Sequence, residues 1–325
     1  MIAAAWFTFN FNDFCYAFLS ILLEGIPFML LGTLISGLID QFLPSRFMTK
    51  SLPKNPGAAI FLSGALGMIF PMCECGIVPV IRRLIGKGLP VSCAMGYMLA
   101  VPIVNPIVAV STYMAFRGQG AMEMMVLRLG LGYLVAVLAA FVISRIPVQQ
   151  VLRPELLAQL QKKPTDPKSA SEVPVDALGM PKAPTLGKGS LITRLGGALG
   201  VAVNDFLDVC FYFVIGASVA AIFNTSVNQD FLLPFANNTI LATASLMGLA
   251  AILSLCSTSD AFIAATLINF PAVAKLAFLV FGPMMDLKLL FIYSAAFKKR
   301  FVMGLAIGLF IVIGLICIRL SFLQL

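Results

Sequence analysis

The densest reactive chemistry in this sequence lies in Phe70-Pro71-Met72-Cys73-Glu74-Cys75-Gly76-Ile77-Val78-Pro79. Pro71, Gly76 and Pro79 each interrupt a helix here. Cys73 and Cys75 offer soft thiol ligands, and Glu74 is an ionisable group set in apolar sequence. The plain alternative is that the cysteines are small buried hydrophobes. Backbone freed at membrane depth survives only where it is buried in protein or lines a cavity. Two thiols and an acid at such a break therefore weigh toward a binding site.

A second break is Leu255-Cys256-Ser257-Thr258-Ser259-Asp260, where polar side chains follow an apolar run. It is either a solvated loop or a hairpin tip whose hydroxyls and free amides coordinate an ion or oxyanion. Pro102-Ile103-Val104-Asn105-Pro106 and Pro283-Met284-Met285-Asp286 interrupt two further apolar segments. Discontinuous helices expose N–H and C=O groups to a substrate, although a proline kink satisfied by neighbouring helices would look the same. The candidate binding set is thus Cys73, Glu74, Cys75, Gly76, Asn105, Cys256, Ser257, Thr258, Ser259, Asp260 and Asp286.

Glu24 and Asp208 sit near the middle of two apolar segments, and Asn204 and Asp205 share the face of Asp208. An intramembrane Asp costs on the order of 2.5–3.5 kcal/mol on insertion scales, so proton or cation coupling is the default expectation. Asp260 and Asp286 are further coupling candidates. The alternative is a structural pair with Lys275, Lys288 or Arg128.

The elements that position these residues follow from composition. The chain has 325 residues, 60% apolar and only 11% charged, with mean hydropathy +1.00. Too few charges exist to cover a soluble surface, and the class expected is an all-α polytopic membrane protein. Residues 14–43, 89–116, 124–146, 195–223, 271–297 and 301–320 reach the roughly 20 apolar residues needed to span lipid. Residues 57–72 and 239–255 are near or below that length.

The first 45 residues lack Lys and Arg, so no cleavable signal peptide is expected. Net charge is +8, which fits positive loops inside rather than nucleic-acid binding. The seven cysteines lie mostly in apolar runs, which argues against a disulfide framework, and no histidine is present. No P-loop appears, so ATP-driven transport would need a partner, and no cofactor or enzymatic constellation is visible. The 16 methionines are scattered and read as core filling.

Residues 147–194 are rich in Pro, Lys, Asp and Ser and read as a disordered cytoplasmic linker, with a short amphipathic helix over 151–161. They divide a first membrane repeat, 1–146, from a second, 195–325. One constant offset sets Gly67 on Gly248, Cys75 on Cys256, Pro90 on Pro271, Pro102 on Pro283, Asn105 on Asp286 and Arg117 on Lys298. A slightly longer offset sets Glu24 on Asp208 and Gly32 on Gly216.

The basic loops alternate between halves, as inversion requires. Each repeat would then hold three to four transmembrane helices with a re-entrant or broken-helix hairpin, at 57–87 and 239–269. This puts Arg117, Arg128, Lys275 and Arg319 outside or near that face and Lys288 within a span. Four full crossings per half would instead place Arg46, Lys50, Lys54, Lys298, Lys299 and Arg300 outside.

The Cys-x-Cys-Gly-x-x-Pro run at 73–79, Gly88-Leu89-Pro90, Ala100-Val101-Pro102-x-x-Asn105-Pro106 and Gly282-Pro283-Met284-Met285-Asp286 resemble the ArsP-like predicted permease family. The resemblance covers both halves and leaves out the linker. It implies a multi-pass permease of the bacterial inner membrane, in a family where some members export trivalent organoarsenicals such as methylarsenite. It also implies Cys73, Cys75 and Cys256 as thiol ligands for a soft As(III) species. The expectation is a secondary permease for a small solute, with efflux of an arsenical or other thiol-reactive species foremost. An inorganic or small organic anion permease, and a non-transporting membrane subunit of a complex, are the alternatives. The partners expected are substrate and lipid bilayer, with homo-oligomerisation left open.

Overall fold

The computed structural model describes residues 11–42, 53, 55–68, 72–154, 156–157, 191–226 and 238–322. The first half contains α1 (Phe11–Phe42), α2 (Pro56–Ala65, running into a 3-10 turn at Leu66–Met68), α3 (Ile77–Gly86), α4 (Val91–Ala100), α5 (Pro106–Ala115) and α6 (Ala121–Ile143). A short α7 (Val148–Val151) follows. The second half contains α8 (Leu191–Ser226), α9 (Thr239–Leu253), α10 (Ser259–Thr266), α11 (Ala272–Met284), α12 (Leu287–Tyr293) and α13 (Lys299–Phe322). Among the described residues the only β feature is an isolated bridge between Leu152 and Phe297.

Five segments are long and apolar enough to cross a membrane: Phe11–Phe42, Ala121–Ile143, Leu195–Phe223, Ala272–Tyr293 and Lys299–Phe322. The all-α membrane class expected from composition is what the chain adopts. Ala272–Tyr293 is the central one, with 83% of its apolar window buried against 22% for Lys299–Phe322.

The breaks fall where the sequence places them, and each has a local cause. Pro56 and Pro106 open α2 and α5, where a missing N–H costs nothing. Asn105, Asn238 and Asp286 cap α5, α9 and α12 by accepting hydrogen bonds from Ile107, Ile240 and Leu289 backbone N–H groups. α9 stops at Ser254, held in the left-handed region at φ 50°. The helices on either side of the two breaks, α2, α3, α9 and α10, have 10, 10, 15 and 8 residues.

α1 and α8 run antiparallel along the longest helix contact. A Cβ on Gly37 would lie 2.2 Å from the Ala198 carbonyl oxygen, and one on Gly25 would lie 2.3 Å from the Phe213 ring. α3 packs on α1 and α4, α12 on α8, α4 on α2 and α6, and α11 on α9 and α13. α10 packs on α5 and α11.

The beginning of the hydrophilic middle is docked. Lys298 N–H donates to the Val151 carbonyl at 3.0 Å and Arg153 N–H to Ala296 at 3.3 Å, while Val151, Leu152 and Leu156 are buried. Arg153 also donates to the Tyr212 hydroxyl on α8 at 3.0 Å. Residues 155 and 158–190 of the expected linker lie outside the described residues, as do 158–161 of the expected amphipathic helix, while 191–194 belong to α8 rather than to a linker.

Candidate functional site

The two breaks that carry thiols meet inside the bundle. Residues 72–76 form the tip between α2 and α3, where Gly76 N–H closes a turn onto the Cys73 carbonyl at 3.2 Å. Residues 254–258 form the tip between α9 and α10. The Cys73 thiol has Cys75 and, from the second tip, Cys256 as neighbours. The Cys73 sulfur, a Glu74 carboxylate oxygen and the Cys75 sulfur lie within 4.8 Å of one another. Cys73, Glu74 and Cys75 form the compact group, and Cys256 of the second break neighbours Cys73. All seven cysteines are free.

Gly76 is there because the tip touches the backbone of α1. A Cβ on it would sit 2.5 Å from the Phe28 carbonyl oxygen, and one on Gly32 would sit 2.2 Å from the Gly76 carbonyl oxygen. Distances under 3.0 Å leave no room for a methyl group unless something shifts.

Charged side chains brace both tips. Lys288 on α12 donates to the carbonyls of Ser254 at 2.9 Å and Leu255 at 3.3 Å. Its ammonium also lies 3.5 Å from a Glu74 oxygen and 3.6 Å from an Asp286 oxygen. One cation thus ties the second tip to the acid of the first. Arg128 on α6 is 0% exposed. It donates to the Thr112 hydroxyl at 2.7 Å and to the Ser257 carbonyl at 2.7 Å. Among the described residues, the buried side-chain polar atoms with no hydrogen-bond partner are Glu74 Oε2, Arg128 Nε, Asp260 Oδ2 and Asp286 Oδ2. All four belong to this junction.

Arg128 is the main departure from the sequence expectation, which set it outside or near that face. It faces inward because α6 packs on α4 and α5, and its guanidinium reaches past Thr112 to the second tip. An apolar helix gives no stripe from which that orientation could be read.

Of the other candidates, Thr258 donates to the Cys256 sulfur at 3.6 Å, and Ser259 donates to Glu24 on α1 at 3.3 Å. Asn105 spends its oxygen capping α5. Asp208 lies apart from the junction: its side chain is 45% exposed and 3.7 Å from Arg82 on α3.

Asp205 does more than Asp208. Arg83 on α3 grips it with two hydrogen bonds, 3.0 and 2.8 Å, and Ser36 on α1 donates to it at 2.7 Å. Asp40 adds contacts to Arg83 at 3.7 Å and Lys87 at 3.8 Å. Asp205 and Asp208 are thus paired with Arg83 and Arg82 of α3.

Helix breaks meeting in an apolar bundle resemble the discontinuous-helix sites of secondary transporters. A family described as "Predicted permease" matches residues 10–321. The chain belongs to this ArsP-like predicted permease family. The permease is 38% identical over 287 residues to the UPF0718 protein YcgR of Bacillus subtilis (strain 168), covering 88% of this chain and 89% of that one. It is 32% identical over 308 residues to a Streptococcus mutans serotype c (strain ATCC 700610 / UA159) protein, covering 94% of each. That protein is named "Putative two-component membrane permease complex subunit". No solved structure matches. The permease is a multi-pass bacterial membrane protein, and its family points to transport rather than catalysis.

Proposed function

We propose that this permease carries a small thiol-reactive solute through the junction of its two hairpin tips, and that a trivalent arsenical is the substrate class that fits best. The observation that carries this proposal is the close pair Cys73 and Cys75, with Cys256 of the second break as a neighbour of Cys73. A soft, three-coordinate As(III) centre exchanges hydroxyl groups for thiols. Thiols delivered by separate hairpins can bind it when together and release it when parted. Without a bound proton or cation the charge of the junction counts against an anion: the buried acids Glu74, Asp260 and Asp286 outnumber the buried cations Lys288 and Arg128.

We further propose that the halves insert in opposite senses, with 57–87 and 239–269 as re-entrant hairpins. The shortness of α2, α3, α9 and α10, each under the roughly 20 residues of a crossing, supports this arrangement. A complex is the second possibility, favoured by the name of the Streptococcus relative.

The test is accumulation in membrane vesicles containing the permease, offered arsenite, methylarsenite, phenylarsine oxide, sulfate and phosphate in turn. The arsenicals are expected to move and to compete with one another. Movement of sulfate or phosphate unaffected by arsenicals would overturn the substrate class. Flux that appears only with a second membrane protein would make the chain a subunit.

A further inference from the structure

We propose that the tip junction binds one positive charge, a proton or an alkali cation, at Asp260. The proposal depends on the permease function only in placing that charge at the transport site. Glu74, Asp260 and Asp286 are 0%, 2% and 2% exposed, and the cations among them, Arg128 and Lys288, are 0% and 4% exposed. The other buried ions lie elsewhere: Asp205 is held by Arg83, and Lys275 is on the first turn of α11. The junction therefore contains one acid more than it has cations to offset.

The contacts say which acid is left over. Lys288 lies within ion-pair range of Glu74 and Asp286. Arg128 gives its two terminal nitrogens to Thr112 and the Ser257 carbonyl. No ion pair joins Arg128 to Asp260 among the described residues, and Asp260 Oδ2 has no donor. Gly282 on α11 accommodates that oxygen, since a Cβ there would lie 3.0 Å from it. The titratable groups facing Asp260 are Arg128 of α6, Glu74 of the first tip, Lys288 of α12 and Cys256 of its own tip. Glu24 of α1 stands beside Ser259.

An uncompensated charge in a dry interior costs several kcal/mol. A proton or cation on Asp260 removes that cost. Its exchange during transport would couple solute movement to an ion gradient.

The test is thermal unfolding of the purified permease in detergent across pH and across Na⁺ against K⁺, for the wild type, Asp260→Asn and Arg128→Gln. If the charge is a proton, the wild-type midpoint falls as pH rises, because the folded state then binds more protons than the unfolded state. The infrared spectrum also shows a protonated-carboxyl band that Asp260→Asn removes. If it is an alkali cation, the midpoint rises with that cation and the pH response is flat. In either case Asp260→Asn is at least as stable as wild type and loses the ion response, whereas Arg128→Gln is less stable.

A wild-type midpoint indifferent to both pH and cation would overturn the proposal. So would an Asp260→Asn protein that unfolds more easily or fails to fold, because Asp260 would then already be compensated. A Cys73→Ser/Cys75→Ser/Cys256→Ser protein keeps the ion response. Failure of the thiol site and failure of the charge site are therefore separately visible.

Discussion

Cys73 of the first break and Cys256 of the second are neighbours inside the bundle, although 182 residues separate them in sequence. No other pair of reactive side chains states the architecture so directly. A permease with only these two cysteines, and a protease site introduced between 163 and 190, should form a disulfide on mild oxidation. After cleavage the two halves should stay joined on a non-reducing gel and separate on reduction. Halves that separate without reductant would place the tips apart.

Lys288 is the common partner of both tips. Removing it leaves Glu74 and Asp286 without their cation and Ser254 and Leu255 carbonyls without a donor. Lys288→Met should cost about 3–5 kcal/mol, as breaking a buried pair from one side does. Urea or thermal unfolding in detergent measures it, and Lys288→Met/Glu74→Gln should recover part of the loss. A neutral Lys288→Met would mean that the ammonium is not inserted between the tips.

The contact of α1 with the first tip is backbone on backbone. Gly32→Ala should therefore destabilise by more than about 1 kcal/mol, in the range of overpacked sites. At Gly248, in α9, a Cβ would meet nothing within 4 Å. Gly248→Ala should be neutral or stabilising by about 0.4–1 kcal/mol. Equal effects of the two substitutions on the unfolding midpoint would contradict the close approach at Gly76.

The grip of Arg83 on Asp205 ties α3 to α8, and Ser36 ties α1 to the same carboxylate. Arg83→Lys keeps the charge but loses the paired geometry, so it should not restore what Arg83→Ala removes. The loss expected is about 1.5–3 kcal/mol, the range for hydrogen bonds to charged groups. If Arg83→Lys unfolds with wild-type stability, the bidentate contact is unimportant.

Much of this architecture is legible in the sequence because helix breakers and apolar length are local properties. Gly76 announces the first tip and the polar run after Leu255 the second, whereas Pro79 does not break a helix but falls in the first turn of α3, where proline is tolerated. Asn105 and Asp286 do mark breaks, yet Asn105 serves as a helix cap. What stays hidden depends on how helices face one another. Arg128 near one end of an apolar segment looks like an interfacial anchor until α5 and α6 turn it toward Ser257. Arg82 and Arg83 look like loop charges until α3 lies between α1 and α8, where they claim Asp208 and Asp205. The docking of 148–153 on 295–298 rests on backbone pairing that composition does not encode.

The most direct measurement is methylarsenite uptake into everted vesicles by wild-type permease, Cys256→Ser and Cys93→Ser. Cys93 lies on α4, outside the tips, and controls for loss of a buried thiol. Loss of uptake in Cys256→Ser with normal uptake in Cys93→Ser is the predicted result. Undiminished uptake in Cys256→Ser would contradict a site assembled from both hairpins.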